Sequence, residues 1–523
     1  SATYFFLPKL DYLPDGNRNL VFGHISPPPG YNLDTTADIA GDIESEIRYL
    51  WSSETGPQSE PGQPPKIQRF FFVATRGATF LGAASEEPSR VNELIPVLQR
   101  AAFREPGTFG LISQRSLFGR GVGGSRSIEL NISGPELEEI LDVALRAVGR
   151  IEAAMPRDQG TQLRPKPGLE LGAPEVRIIP DRLKLADNGM TVREFGDTLD
   201  AFNDGLRLAE ITVGGKRIDL TLKGPLGRVT ETQGIANLPV VTRSGAILPA
   251  SSLADVVITV GPTEIRHLER VRTVTLEIRP PEKVPLEAAL DTLRTEVIDK
   301  LRAQGLPKGV KLSLSGTADK LTQTWDAMVV QLAMAIVIVY LVMAVLFESF
   351  IYPFIIMLSV PLATGGGVLG LAFVNLFTFQ PLDMLTLLGF VILIGIVVNN
   401  AILLVHQTLL HIHEEGMAIE DSIMEATRNR IRPIFMSTLT SVFGMAPLVF
   451  FPGAGSELYR GLGSVVLGGL SLSAILTLAI VPPLLTLFTG ALEKSGRRMA
   501  AKAGTKAKRP AKKAAGRDLK PAQ

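Results

Sequence analysis

The sequence predicts a membrane protein in which an α-helical transmembrane bundle is joined to an outward-facing α+β region of ferredoxin-like units carrying an insertion. Three observations predict it. Five apolar stretches follow one another in the C-terminal part of the chain, Lys and Arg gather on one side of those stretches, and a strand, turn and helix pattern recurs before them.

The recurring pattern appears first as LVFGHISPPPG followed by a helix near Thr35 to Trp51, with Ile39, Ile43, Ile47 and Leu50 on one face. It returns as SIELNISGP before Leu137, Ile140, Leu141, Ala144, Leu145, Val148 and Ile151, and as VTLEIRPPEKVP before Leu286, Leu290, Leu293, Val297 and Leu301. Spacings of three and four make helical stripes, whereas Val274, Leu276 and Ile278 alternate as a half-buried strand does. Pro135 and Pro285 fall near helix starts, where a fixed φ is tolerated. Further strands are expected at Ile67 to Ala74 and at Glu175 to Ile179. Repeated units of this kind suit ferredoxin-like sandwiches. Between the second and third patterns lies an insertion, Thr191 to Val260, where Gly214 and Gly215 separate two alternating runs as a hairpin turn would. Ser52 to Pro65 reads as a surface loop.

The apolar stretches run over about 328–346, 350–374, 384–405, 433–451 and 461–491, and none carries an acidic or basic residue in its middle. A bilayer core of about 30 Å needs about 20 helical residues, so each is long enough to cross. Arg428, Arg430 and Arg432 lie between the third and fourth stretches, and a run from Lys494 to Lys520 follows the last, while Asn375 to Asp383 has no Lys or Arg. The positive-inside rule puts that tail in the cytoplasm and residues 1–325 outside.

Other classes find little support. The formal net charge is +1 and the basic run has no interleaved aromatics, so no nucleic-acid partner is expected; the tail suits anionic membrane lipid. With no Cys, disulfides and thiolate metal sites are excluded. Gly215-Lys216 lacks the rest of a phosphate loop, and His24, His267, His406, His411 and His413 form no HExxH motif. His411 and His413 point in different directions on a helix, and the glycines of Gly119 to Ser127 read as a flexible connector. No enzyme activity, metal site or cofactor is expected. SATYFFL is too short for a signal peptide, so Tyr4 to Leu7 reads as the end of a preceding membrane helix and the chain as the downstream part of a longer polypeptide.

The membrane residues resemble a known family, the resistance-nodulation-division (RND) efflux transporters of bacteria. The likeness is carried by LFESFIYPFIIMLSVPLA (Leu346 to Ala363), LLGFVILIGIVVNNAILLV (Leu387 to Val405), EATRNRIRPIFMSTLTSVFGMAPLVFFPGAGSE (Glu425 to Glu457) and LAIVPPLLTLF. RSIELNISGPELEEI and PEVRIIPDRLKLADNGMTVREFGDTL extend it into the outward region. The resemblance is to the C-terminal half of a permease of the hydrophobe/amphiphile efflux type, in a bacterial inner membrane. It implies a first porter subdomain at 1–124, a second at 125–190 and 263–325, a docking subdomain at 191–262, five transmembrane helices at 326–492 and a basic cytoplasmic tail at 493–523. It also implies an N-terminal half of the same transporter, a homotrimer, a periplasmic adaptor, an outer-membrane channel and proton-driven export of drugs or other amphiphiles. Two rivals are a half-size protein-export helper of the same superfamily, which should lack the insertion, and a truncated half that moves nothing.

The resemblance also nominates residues. Asn399 stands where many drug-exporting relatives have a Lys paired with two Asp of the other half, Asn400 matches, Arg430 matches an Arg at the cytoplasmic end of the next helix, and Ser437 stands where Thr is common. These four are the candidates for proton coupling; as plain amides, Asn399 and Asn400 would instead be interhelical glue. Relatives line a drug cleft with Phe from the first subdomain, which nominates Phe70, Phe71, Phe72 and Phe80 around Gly77. By residue pattern alone, Phe on a strand suits a core. Glu348 and Asp383 suit caps, and Gly365, Gly366 and Gly367 suit close helix packing.

Overall fold

A computed structural model describes residues 7–13, 18–28, 30–75, 79–115, 126–203, 205–224, 232–262, 264–451, 453 and 456–507, with the backbone alone beyond residue 488. Tyr4 to Phe6, Gly77, most of the Gly119 to Ser127 connector and the end of the basic tail lie outside the described residues.

The first unit runs β1 (Val21–Ser26), α1 (Leu33–Ile47), β2 (Ile67–Ala74), β3 (Thr79–Ser85), α2 (Leu94–Ala102) and β4 (Phe109–Gln114). Its sheet has the order β2-β3-β1-β4 with antiparallel neighbours. Asn32 caps α1 by accepting from the Thr35 N–H at 2.7 Å. Ile39, Ile43 and Ile47 of α1 and Leu94 and Leu98 of α2 bury against Val21, Ile25, Leu81 and Ala83 on one face of the sheet. Each such side chain contributes about 1.5 to 3 kcal/mol. Among the described residues no helix covers the opposite face.

The second unit opens with β5 (Ile128–Ser133), α3 (Leu137–Ala154) and β6 (Gln162–Lys166). An insertion follows: β7 (Ala173–Pro180), α4 (Val192–Phe202), β8 (Leu206–Val213), β9 (Lys216–Leu222), β10 (Pro239–Val241), β11 (Ile247–Pro249), β12 (Ala254–Gly261) and the short β13 (His267–Leu268). The unit resumes with β14 (Val271–Arg279), α5 (Leu286–Thr292, helical on to Ala303) and β15 (Lys311–Gly316). Its core strands order as β6-β14-β5-β15, the arrangement of the first unit again, under α3 and α5. The third strand-and-helix pattern of the sequence is therefore the second half of this unit.

One expectation needs correction. The strand at Glu175 to Ile179 exists, but it pairs with β12 (Ile179 opposite Asp255, Val176 opposite Ile258) and forms the stem of the insertion. The second sheet takes Gln162–Lys166 instead. That strand hides from pattern reading because its buried row is Leu163 and Pro165, and Pro is tolerated there only because β6 is an edge strand. The hairpin turn stands where expected: Val213 faces Lys216, with Gly214 at φ 58° and Gly215 at φ 79°. Both angles are left-handed, as a two-residue hairpin turn requires.

The membrane-spanning helices are α6 (Thr317–Leu346), α7 and α8 (Ile351–Met357 and Ser359–Asn375, one span), α9 (Met384–His413), α10 (Ile419–Phe450) and α11 (Arg460–Ala507). Five spans are long and apolar enough to cross a bilayer. α8 and α11 cross on glycine: a Cβ at Gly370 would meet Gly468 Cα at 2.8 Å, and one at Gly468 would meet Gly370 Cα at 2.5 Å. Lipid offers no hydrophobic drive between helices, so such backbone-close packing holds the bundle. α6 and α10 bury little of their surface, only 6% and 17% of their most apolar windows.

A short N-terminal segment stitches the bundle to the second unit. Asp11 donates its N–H to Leu382 O at 3.1 Å, Leu382 N–H reaches Lys9 O at 3.2 Å, and Met384 N–H reaches Tyr12 O at 3.2 Å. On its other side, Leu10 N–H bonds Glu287 of α5 at 2.7 Å. Arg126 Nε lies 3.2 Å from Asp11 Oδ2, both side chains over nine-tenths buried.

The glycine crossing gives a direct test. Gly468→Val should cost more than the ~1 to 3 kcal/mol usual for overpacking, because the obstacle is backbone. Gly395→Ala, with open space around its position, should be silent. Thermal unfolding in detergent should show a large loss for the first and none for the second; equal behaviour would mean the helices do not meet there.

Candidate functional site

Strand alternation divides the nominated phenylalanines. Phe70 and Phe72 pack, partly buried, against the core under α1 and α2. Phe71 and Phe80 emerge on the helix-free face, where Phe71 is 42% exposed. There Phe22 joins them, its ring centroid 5.7 Å from Phe80 and 6.3 Å from Phe71. Phe71 lies over Gly82, where any Cβ would come within 2.2 Å of its ring. The Arg115 guanidinium sits 5.5 Å from the Phe22 ring centre.

The second sheet also has a helix-free face, and it is polar. Thr275 donates to Asn131 Oδ1 at 2.7 Å, and Asn131 Nδ2 donates to Ser315 Oγ at 2.7 Å. Lys166 Nζ lies 2.7 Å from Glu277 and 3.9 Å from Glu129, and Arg164 lies 3.6 Å from Glu277.

Gln162 joins the two sheets. Its Oε1 accepts the Ile112 N–H at 2.5 Å and its Nε2 donates to Ile112 O at 2.7 Å, so a side-chain amide imitates a neighbouring strand on the edge of β4. Arg164 and Lys166 follow Gln162 at every second position and share its face. The first sheet thus carries an aromatic row and the second a charged row.

His24 stands between them. It is buried, it meets Phe80 edge-on at 4.9 Å, and its Nδ1 has no hydrogen-bond partner. Burial first, then the charges of Arg164 and Lys166, push its pKa down to about 3. Sequence reading missed Phe22, His24, Arg115, Arg164 and Lys166; the signal was available in the period-two rows of β1 and β6.

The four nominated membrane residues lie on α9 and α10. Asn399, midway along α9, is exposed, whereas Asn400 is buried. Ser437 donates to Ile434 O of its own helix at 3.0 Å. Arg430 donates to Gln407 Oε1 at 2.8 Å, tying α10 to α9. From Gln407 the bonds continue to His411 at 3.1 Å and from His411 to Glu415 at 2.7 Å. Among the described residues no hydrogen bond joins any two of the four. Gln407, His411 and Glu415 recur at helical spacing of four, a legible pattern that went unread because His411 was weighed only as a metal ligand.

The low pKa of His24 has a signed consequence. The folded state keeps the imidazole neutral while the unfolded chain protonates it near pH 6.5, so this group's contribution is full above that pH and is lost as pH falls toward 3. The loss is at most about 1.4 kcal/mol per pH unit. Thermal unfolding at pH 7 and pH 5 should show a drop that His24→Leu reduces; an identical drop in the variant would remove His24 from the account.

Comparison with known proteins follows from this geometry. The profile described as the AcrB/AcrD/AcrF family matches residues 2–489. "Multidrug resistance protein MdtC" of Salmonella typhi is 35% identical over 309 residues, and that of Erwinia amylovora 30% over 308. Each alignment covers 59% of this chain and 29% of the relative. A crystal structure of a heavy metal efflux pump superposes with a TM-score of 0.76 at 19% identity, over 93% of this chain and 48% of the pump, a likeness of fold. The chain thus spans under half the length of the proteins it matches.

Proposed function

Because this chain belongs to the AcrB/AcrD/AcrF family, we propose that it acts as the C-terminal half of an RND secondary transporter that exports drugs or other amphiphiles across a bacterial inner membrane, driven by protons. In this reading the two ferredoxin-like units are porter subdomains, the insertion docks to neighbours or to an outer-membrane channel, and the working assembly is a trimer with a periplasmic adaptor.

One observation carries the reading: Asn399 is exposed in the middle of an apolar membrane helix. An amide cannot face hydrocarbon without a polar partner, so another polar element must cover it. Asn399 cannot titrate; the proton would reside on carboxylates of the other half, with Asn399, Asn400 and Ser437 hydrogen-bonding around them. The sparse burial of α6 and α10 supports the same conclusion. At the far end of the bundle, the Arg430 bond holds α9 and α10 together. The exposed Phe71 beside Phe22 and Phe80 suits contact with molecules that have an apolar body.

The orientation puts residues 376–383 outside, beside the α+β region to which Leu382 is bonded, and residues 414–418 inside. The chain has no Cys, so single cysteines report cleanly. Thr378→Cys should react with an impermeant maleimide added to intact spheroplasts, and Glu414→Cys only after lysis. The reverse pattern would invert the protein.

Transport itself is tested by complementation. In a drug-sensitive strain this chain alone should give no resistance, and co-expression with an N-terminal half should restore it. In the complete protein, Asn399→Leu strands a buried carboxylate at ~1 to 3 kcal/mol, which should cut transport about tenfold and raise its pH optimum while the trimer still assembles. Resistance from this chain alone, or unaltered transport by Asn399→Leu at every pH, would sink the coupling scheme.

A further inference from the structure

We propose that His411 is a positioning residue for Arg430: the proton on its ring decides which way the Gln407 amide points, and so whether Arg430 on α10 is held to α9. The link to transport rests on the reading of Arg430 as part of proton coupling.

The hydrogen-bond chain fixes its own polarity. A guanidinium has donors only, so the Gln407 atom that meets Arg430 Nη2 at 2.8 Å must be the carbonyl oxygen. The amino end of the same amide then faces His411 Nε2 at 3.1 Å and has only protons to offer. His411 Nε2 is therefore an acceptor and the ring is neutral. Its one proton sits on Nδ1, donated to the Glu415 carboxylate at 2.7 Å. The ring is buried with both nitrogens engaged.

A second proton is incompatible with this arrangement. Imidazolium donates from both nitrogens, so Nε2–H would meet the Gln407 amino group, donor against donor, in a buried place where an unmade bond is costly. Turning the amide over gives His411 its acceptor and puts the amino group against Arg430. The tie between α9 and α10 is then lost, while the bond to Glu415 becomes charge-assisted. One amide oxygen serves either cation, and the histidine proton chooses.

The surroundings leave that choice to these four groups. Among the described residues, Glu415 is the only carboxylate paired with His411. At this end of the bundle α10 also carries Glu420, Asp421, Glu425, Arg428 and Arg432, α9 carries His406 and His413, and Glu414 and Glu348 lie in the adjoining turns. Among the described residues none of these bonds to Gln407 or His411. The other helices packed against α9 bring no charge here: α7, α8 and residues 461–488 of α11 have none, and α6 has none after Asp326.

Two measurements on the full chain in nanodiscs test this without transport. With isotope-labelled histidine ring nitrogens, the His411 signal, identified by its loss in His411→Phe, should report the Nδ1–H tautomer at pH 8. The Nε2–H tautomer there would overturn the proposal. Spin labels at His413→Cys and Asn429→Cys, both exposed and in a chain with no other cysteine, read the spacing of α9 and α10. That spacing should lengthen and broaden from pH 8 to pH 5, the range in which histidine changes charge. Gln407→Glu offers an acceptor to both cations, so it should hold the pH 8 spacing throughout; His411→Phe should also lose the response. Gln407→Glu keeps the test open should His411→Phe fail to fold. No pH response in the parent chain, or one that survives in these variants, would overturn the proposal. Absence of transport by the complete protein would sink the proposed function, whereas the tautomer and the spacing decide this proposal by themselves.

Discussion

The buried pair of Asp11 and Arg126 is the constraint on which the two halves of this architecture meet. Two charges removed from water need each other and every further hydrogen bond available, and removing one partner of such a pair typically costs about 3 to 5 kcal/mol. Arg126 also donates to the carbonyls of Glu282 and Val284, just before α5. Asp11 belongs to the segment bonded to Leu382 and Met384 at the start of α9. One ion pair therefore ties the entry of the helix that carries Asn399 to the entry of a helix that roofs the second sheet.

Within the bundle the packing is uneven for a physical reason. α8 and α11 approach through Gly366, Gly370 and Gly468 until backbone meets backbone, while α6 and α10 leave their apolar faces largely open. In the α+β units the same asymmetry appears in another form. Helices cover one face of each sheet, and a ferredoxin-like unit leaves the other face free. The two sheets are joined at Gln162, whose side chain bonds the edge of β4.

The fold was largely legible because its signals are periodic. Apolar runs longer than a bilayer is thick, helical stripes such as Ile39, Ile43 and Ile47, and the Gly214-Gly215 turn each need only local sequence. The β6 strand was not legible, since Pro165 replaces the aliphatic residue that alternation would require. The aromatic row was half legible. Four phenylalanines stood out, but Phe70 and Phe72 differ from Phe71 only by parity along the strand, and parity decides the face. His24 and Arg164 lie far apart in sequence and on different sheets, and come together only when the two sheets meet. Asn399 was legible as a polar residue in an apolar helix, yet its exposure is a property of the packed bundle.

Stability alone does not account for the charged row. A buried ion pair can often be replaced by apolar residues of similar volume with little loss, because desolvation offsets much of the attraction. Glu277 is buried and holds Lys166 at 2.7 Å, on a face that apolar residues could have filled. The first sheet shows that an apolar free face is compatible with this fold. What the charges preserve is a polar face: Arg164, Lys166 and Glu277 are placed where aliphatic residues would have extended the core.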